Sequence, residues 1–146
     1  MTFKHMRTDL MMKTVNTVHG TLIKVSGGRL GGTAGGMTTV ELHSVGRKSG
    51  RARNNLLTAP IIDNDRIILV ASKGGDERHP DWYHNITAQP NVEVTIDGVR
   101  EAVTARTASA DEKAEMWSKI TAEYKGYARY QEKTDREIPV VICDRC

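Results

Sequence analysis

The sequence is poor in the features that mark several familiar protein classes. Its only two cysteines, Cys143 and Cys146, stand at its end. No disulfide framework is expected, and their C-x-x-C spacing lacks the βαβ context of a redox pair. Cys143 reads as strand filling and Cys146 as tail. No apolar run approaches the roughly 18 residues of a spanning helix, and no cleavable signal pattern is present. A cytoplasmic protein is therefore expected. There is no G-x-G-x-x-G at a strand-to-helix turn, which argues against a Rossmann dinucleotide site. The five histidines, His5, His19, His43, His79 and His84, show no metal-ligand spacing with one another or with the cysteines. No metal is expected, and His79 and His84, five residues apart, should diverge on a helix. Aromatic residues make up only 5% of the chain, as two Trp, four Tyr and one Phe. Where they fall is correspondingly informative.

What the sequence does contain is unevenly placed charge. The formal net charge of +3 conceals a division: residues 1–62 carry nine Lys or Arg against two acids, net +7, and residues 63–146 carry twelve against sixteen, net −4. An anionic partner at one end of the molecule would suit such polarity, whether a phosphorylated cofactor, a nucleic acid or an acidic membrane surface. The sharpest concentration is Gly46-Arg47-Lys48-Ser49-Gly50-Arg51-Ala52-Arg53, with four cations in seven residues and no acid between Glu41 and Asp63. Strand-like segments flank it, so Gly46 to Gly50 reads as their turn. A turn of this kind aims N–H groups and cationic side chains at one spot, as polyanion binding requires; a merely solvated hairpin tip carries the same residues. Lys48-Ser49 superficially resembles a P-loop, but Arg47 replaces the glycine and no helix follows. A second loop, Ala71-Ser72-Lys73-Gly74-Gly75, leaves an apolar strand with another hydroxyl, another cation and two glycines.

At 146 residues the chain is the size of one domain, able to bury roughly two thirds of its unfolded surface. Residues 1–28 read as an amphipathic helix and linker, and residues 29–146 as a β-barrel body. Leu10, Met11, Val15, Val18, Leu22 and Val25 recur at steps of three and four, with Lys13 and Lys24 on the polar side. A helix of this pattern docks on its own domain or lies on an acidic membrane, so peripheral membrane contact is kept as an alternative. Ser26 to Gly36 holds six glycines, too many for a regular element. Strands are expected at 38–44, 56–62, 67–71, 92–96, 99–107 and 138–142, with turns at Asp63-Asn64-Asp65 and Asp97-Gly98. Six short strands favour a closed or nearly closed antiparallel β-barrel, mainly β within the α+β class, because closure removes exposed edges. Pro80 to Ala88 reads as a helix, and Ser109-Ala110-Asp111-Glu112 as the capping box of another that buries Met116, Trp117 and Ile120. Tyr124, Tyr127 and Tyr130 fall at i, i+3 and i+6, sharing one face of a helix. They pack against the barrel or form a wall for a flat ring. No apolar strand is left over for a partner, so a monomer is expected.

These motifs, taken together, resemble the deazaflavin-dependent nitroreductase family. The resemblance rests on Gly46-Arg47-Lys48-Ser49-Gly50, Arg53, Ala71-Ser72-Lys73-Gly74-Gly75, Pro80, Trp82-Tyr83, Asn85, Pro90, Tyr127, Tyr130, Thr134-Asp135-Arg136 and Ile138-Pro139-Val140-Val141. It runs from about Leu30 to the end. It implies a split-barrel oxidoreductase that uses coenzyme F-420, an 8-hydroxy-5-deazaflavin with a phosphodiester and a polyglutamate tail. Arg47, Lys48, Arg53 and Lys73 would then hold phosphate and tail, with the backbone from Ser72 through Gly74 and Gly75 closing around them. Each such contact is worth roughly 1.5 to 3 kcal/mol where it is shielded from water. Trp82 and Tyr83 would frame the ring. Ser72, Tyr124, Tyr127 and Tyr130 match substrate-side positions, and Tyr127 or Tyr130 would steady charge or deliver a proton during hydride transfer. The implied acceptors are small electron-poor molecules: nitroaromatics, quinones and α,β-unsaturated esters or lactones. No nucleic-acid partner is implied. The chain departs from the pattern at Asn54-Asn55, where relatives commonly carry proline. The alternatives are an FMN- or haem-binding split barrel, or a non-catalytic binder of acidic membrane or nucleic acid.

Overall fold

The computed structural model describes residues 33–34 and 37–146; the expected N-terminal helix and most of the glycine-rich stretch lie outside them. The strands are β1 (Thr33–Ala34), β2 (Met37–Val45), β3 (Ala52–Ala59), β4 (Ile61–Ile62), β5 (Arg66–Val70), β6 (Asn91–Ile96), β7 (Val99–Thr107) and β8 (Val140–Arg145). The helices among the described residues are α1 (Asp81–Ala88), α2 (Ala110–Glu123) and α3 (Gly126–Lys133). The sheet runs β1-β2-β6-β7-β8-β5-β4, and β3 flanks β2 on its other side, so that Leu42 faces both Asn55 and Val94. All pairings are antiparallel. The sheet curls until Leu57 and Ala59 of β3 share a core with Ile67 and Leu69 of β5. This is the expected split barrel.

Two apolar clusters explain the layering. The interior one joins Val40, Leu42, Val94, Val103 and Val141 to Trp82 and Ile86, so α1 plugs the curled sheet. The second covers the outer face, where Ile68, Val70, Val140 and Ile142 meet Met116, Ile120 and Tyr127 of α2 and α3. Strands β5 and β8 are thus buried on both faces, which is why they read as continuous apolar runs instead of alternating. Each fully buried Ile or Leu here contributes about 1.5–3 kcal/mol.

Local chemistry sets the turns. Asp97 and Gly98 both have positive φ, 50° and 80°, closing the β6–β7 hairpin with two residues. In the β2–β3 hairpin Val45 faces Ala52, Gly46 N–H donates to Arg51 O at 2.8 Å, and Gly50, at φ 70°, donates to Gly46 O at 2.8 Å. Ser109 and Glu112 form the expected capping box.

Several expectations shift. The segment 56–62 is split at Pro60, and its strand begins earlier, at Ala52, so Asn54 and Asn55 pair with β2. That split, with the short β1 inside the glycine-rich stretch, brings the strand count among the described residues to eight. The last strand starts at Val140, after Pro139, and continues through Arg145 opposite β7. The tyrosines do not share one helix: α2 ends at Glu123, Tyr124 caps it in extended conformation, and α3 starts at Gly126. The Tyr124 ring lies where a Gly126 side chain would project, so any larger residue at the junction would have to displace that ring. His79 precedes α1, and its ring meets that of His84 at 5.6 Å instead of diverging.

Candidate active site

The hairpin loop and the start of α1 enclose a groove of about 450 Å³. Arg47, Lys48 and Arg53 line it with Asn55, Asn85 and the buried Trp82; among the described residues Asp81 is its only acidic lining residue. Arg53 lies opposite Ser44 across the hairpin, so both arms of the turn deliver cations to one end of the barrel. Ser49 Oγ braces the loop, accepting from Arg51 N–H at 3.2 Å and from Arg53 Nη2 at 3.4 Å. A side chain at Gly46 would collide with that hydroxyl. Arg47 is tied to α1: its backbone N–H and its Nη1 both donate to Asn85 Oδ1 at 3.1 Å. Asp81 Oδ1 lies 3.8 Å from Arg47 Nη2 and its side chain is 88% exposed. Such a surface pair leaves most of the cationic field in place.

The second loop has a different setting. After Ser72, in right-handed conformation, Lys73, Gly74 and Gly75 have φ of 45°, 62° and 83°. A right-handed residue followed by left-handed ones turns successive N–H groups to one side, a known anion-nest geometry. Gly75 packs so tightly on α3 that a Cβ would sit 3.0 Å from Tyr130 O. Arg136 fastens the loop from the other side. Its Nε donates to Asp76 O at 2.8 Å, its Nη2 to Ser72 O at 2.9 Å and Ala71 O at 3.3 Å, and its Nη1 to His79 Nδ1 at 3.0 Å. Arginine only donates, so His79 Nδ1 accepts and the ring is neutral. Burial first, then Arg136, hold His79 below its ordinary pKa.

The tyrosines meet over β3. Tyr124 and Tyr127 rings are 5.1 Å apart at 83°, Tyr127 and Tyr130 6.3 Å apart at 73°. Tyr127 is 5% exposed and its hydroxyl bonds Thr58 Oγ1 at 3.1 Å, whereas the Tyr124 and Tyr130 hydroxyls bond each other at 3.2 Å. Burial raises the Tyr127 pKa, with the Thr58 hydrogen bond opposing it. Burial, then the hydrogen bond with Tyr124, push Tyr130 up to about 12. Both hydroxyls are therefore protonated at neutral pH and able to donate.

Of the expected site residues, Arg47, Lys48, Arg53 and Trp82 share the groove. Ser72, Lys73, Gly74 and Gly75 are absent from its lining and belong with α3. Tyr83 turns elsewhere, its hydroxyl 2.8 Å from Thr107 Oγ1 and its ring against His79. Strand β3 links the two regions: Arg53 lines the groove and Thr58 touches Tyr127, about 17 Å apart at the usual strand rise. The sequence alone assigned no role to Asn55, Thr58, Asn85 or Arg136. Strand alternation places Arg53 and Asn55 on one side of β3, a signal that was available.

A deazaflavin cofactor requires cations for its anionic arm and a flat wall for its ring. Three cations faced by one exposed acid, beside a buried indole, fit a phosphodiester and carboxylate arm. The comparisons with known proteins agree. Residues 16–145 match the F420H(2)-dependent quinone reductase family. A protein of that name from Mycobacterium tuberculosis is 36% identical over 132 residues, 88% of each chain. A solved F420-H2 dependent reductase is 40% identical with a TM-score of 0.65, covering 72% of this chain and 92% of that one. Another solved chain, also 40% identical with a TM-score of 0.65 and covering 72% of this chain and 78% of its own, is described as a domain-swapped dimer. The expected monomer therefore finds no support. Among the described residues no helix is long and apolar enough to cross a membrane.

Proposed function

The chain belongs to the F420H(2)-dependent quinone reductase family, oxidoreductases that use reduced coenzyme F-420, and from that premise we propose that it reduces a quinone-type acceptor with the cofactor's anionic arm held in the hairpin groove. When bound, the reduced deazaflavin supplies two electrons as a hydride equivalent. The observation that carries the reading is the three-cation groove with buried Trp82 on its wall. Arg47, Lys48 and Arg53 neutralise phosphate and carboxylates there. The Ser72–Gly75 turn, whose Gly75 N–H is used internally on Ser72 O, brings the Lys73 side chain to the ligand from the α3 side, and Ser72 stands at the junction of cofactor and acceptor. Tyr124, Tyr127 and Tyr130 form the acceptor wall. With a hydride equivalent supplied, reduction of a quinone to a quinol needs one further proton at oxygen. Tyr130, whose protonated hydroxyl is shared with Tyr124, passes that proton on and regains one from solvent, while the buried Tyr127 keeps the wall in register through Thr58.

The test is anaerobic. Reduced coenzyme F-420 is mixed with the protein and a soluble quinone, and the return of oxidised F-420 fluorescence is followed. Protein-dependent turnover with quinone is the expected result, with a nitroaromatic and an α,β-unsaturated lactone as comparison acceptors. Turnover only with the nitroaromatic or the lactone would replace the acceptor class, and none with any acceptor would remove the reading.

A further inference from the structure

We infer that Asn85 is a positioning residue for anion binding, holding Arg47 in the groove without cancelling its charge; the inference rests on the reading of that groove as the seat of the cofactor's anionic arm. Asn85 is 5% exposed, on the first two turns of α1. Its one oxygen takes two hydrogen bonds from Arg47, one from the backbone N–H and one from Nη1. Both partners are donors, so the accepting atom must be the amide oxygen, and the orientation of the amide is settled by chemistry. The backbone bond fixes the hairpin loop to α1. The side-chain bond fixes the guanidinium at the groove wall.

Two effects follow. An arginine at a hairpin tip ordinarily loses rotamer freedom when it takes up an anion, and that loss weakens binding. Here the loss occurs on folding. The acceptor is also neutral. A carboxylate in the same place would hold Arg47 more strongly and neutralise it, leaving less attraction for a polyanion. Asp81, the nearby carboxylate, cannot substitute for Asn85, because it lies 3.8 Å away with its side chain 88% exposed, where an ion pair is weak.

The experiment is a fluorescence titration of oxidised coenzyme F-420 with wild type, Arg47→Ala, Lys48→Ala, Asn85→Ala, the Arg47→Ala/Asn85→Ala double variant and Asn85→Asp, each checked by its melting curve. Arg47→Ala and Asn85→Ala should each weaken binding about five- to tenfold, and the double variant should be no weaker than Arg47→Ala alone by more than about twofold. Asn85→Asp retains the acceptor and the fold but adds a charge, and should bind at least as weakly as Asn85→Ala. A purely structural Asn85 predicts the opposite, wild-type affinity in Asn85→Asp. That result, or multiplicative losses in the double variant, would overturn the inference. If Arg47→Ala binds normally while Lys48→Ala does not, the inference falls and the groove reading stands. If neither substitution matters, both fall.

Discussion

The hairpin loop from Gly46 to Gly50 and the turn from Ser72 to Gly75 carry similar residues in opposite surroundings. In the hairpin, Lys48 and Arg53 are exposed, a Cβ on Gly50 would meet nothing within 4 Å, and Asn85 fixes Arg47 without neutralising it. At the turn, Gly75 is pressed onto α3, Lys133 Nζ donates to Gly74 O at 3.3 Å, and the half-buried Arg136 gives its guanidinium to three backbone carbonyls and a histidine. One loop keeps its charge available to a ligand. The other is surrounded by a cation already committed to holding shape. What a glycine-flanked basic loop does follows from the acceptors around it more than from its own composition.

The contrast is broken most severely at Arg136. Arg136→Ala removes the guanidinium donor from the Ala71, Ser72 and Asp76 carbonyls, of which Ser72 O keeps the Gly75 N–H, and should cost about 3 kcal/mol in urea unfolding, with lysine a poor substitute because it has no planar fork. Gly75→Ala comes next. It places a Cβ 3.0 Å from Tyr130 O at φ 83° and should cost about 2 kcal/mol, whereas Gly50→Ala, at φ 70° with open space, should cost about 1 kcal/mol from the backbone alone. Equal losses at the two glycines would erase the distinction between the loops.

At the hairpin the expected effect moves from stability to binding. Lys48→Ala with Arg53→Ala should weaken coenzyme F-420 binding at least tenfold, about 1.4 kcal/mol, while unfolding stays within about 0.5 kcal/mol of wild type. The smallest effect concerns pH. His79 accepts from Arg136 and its pKa lies below the ordinary 6.5, so the unfolded chain binds the proton more readily than the folded one. Stability should therefore be full above pH 6.5 and fall as pH drops below it. Urea midpoints measured from about pH 7 to pH 5 should show this slope in wild type and a smaller one in His79→Gln.

The sequence revealed what is local. Asp97-Gly98 needs only its own φ angles to make a hairpin, and Ser109 with Glu112 needs only three residues' separation to cap α2. Alternation in β6 and the apolar runs of β5 and β8 pointed to the barrel because periodicity reports burial directly. The cationic turn was visible from its composition, with no acid between Glu41 and Asp63 in the sequence. Contacts across long separations were not legible. Arg47 meets Asn85 across 38 residues, Thr58 meets Tyr127 across 69, and Arg136 meets Ser72 across 64. Each depends on how the sheet curls and where helices land on it. The tyrosine spacing misled locally: i, i+3, i+6 suits one continuous helix, and only the Tyr124 ring packed over Gly126 reveals the break. Tyr83 likewise adjoins Trp82 in sequence, yet a helix sends neighbouring side chains in different directions.

The most direct test of the account is a titration of the protein against oxidised coenzyme F-420, by fluorescence and anisotropy, at two salt concentrations and beside flavin mononucleotide. The account predicts saturable binding of the deazaflavin at micromolar concentration or tighter, weakened by salt because the groove grips an anion, and little affinity for the flavin. Equal or tighter binding of flavin mononucleotide, or deazaflavin binding indifferent to salt and to the loss of Lys48 and Arg53, would contradict it.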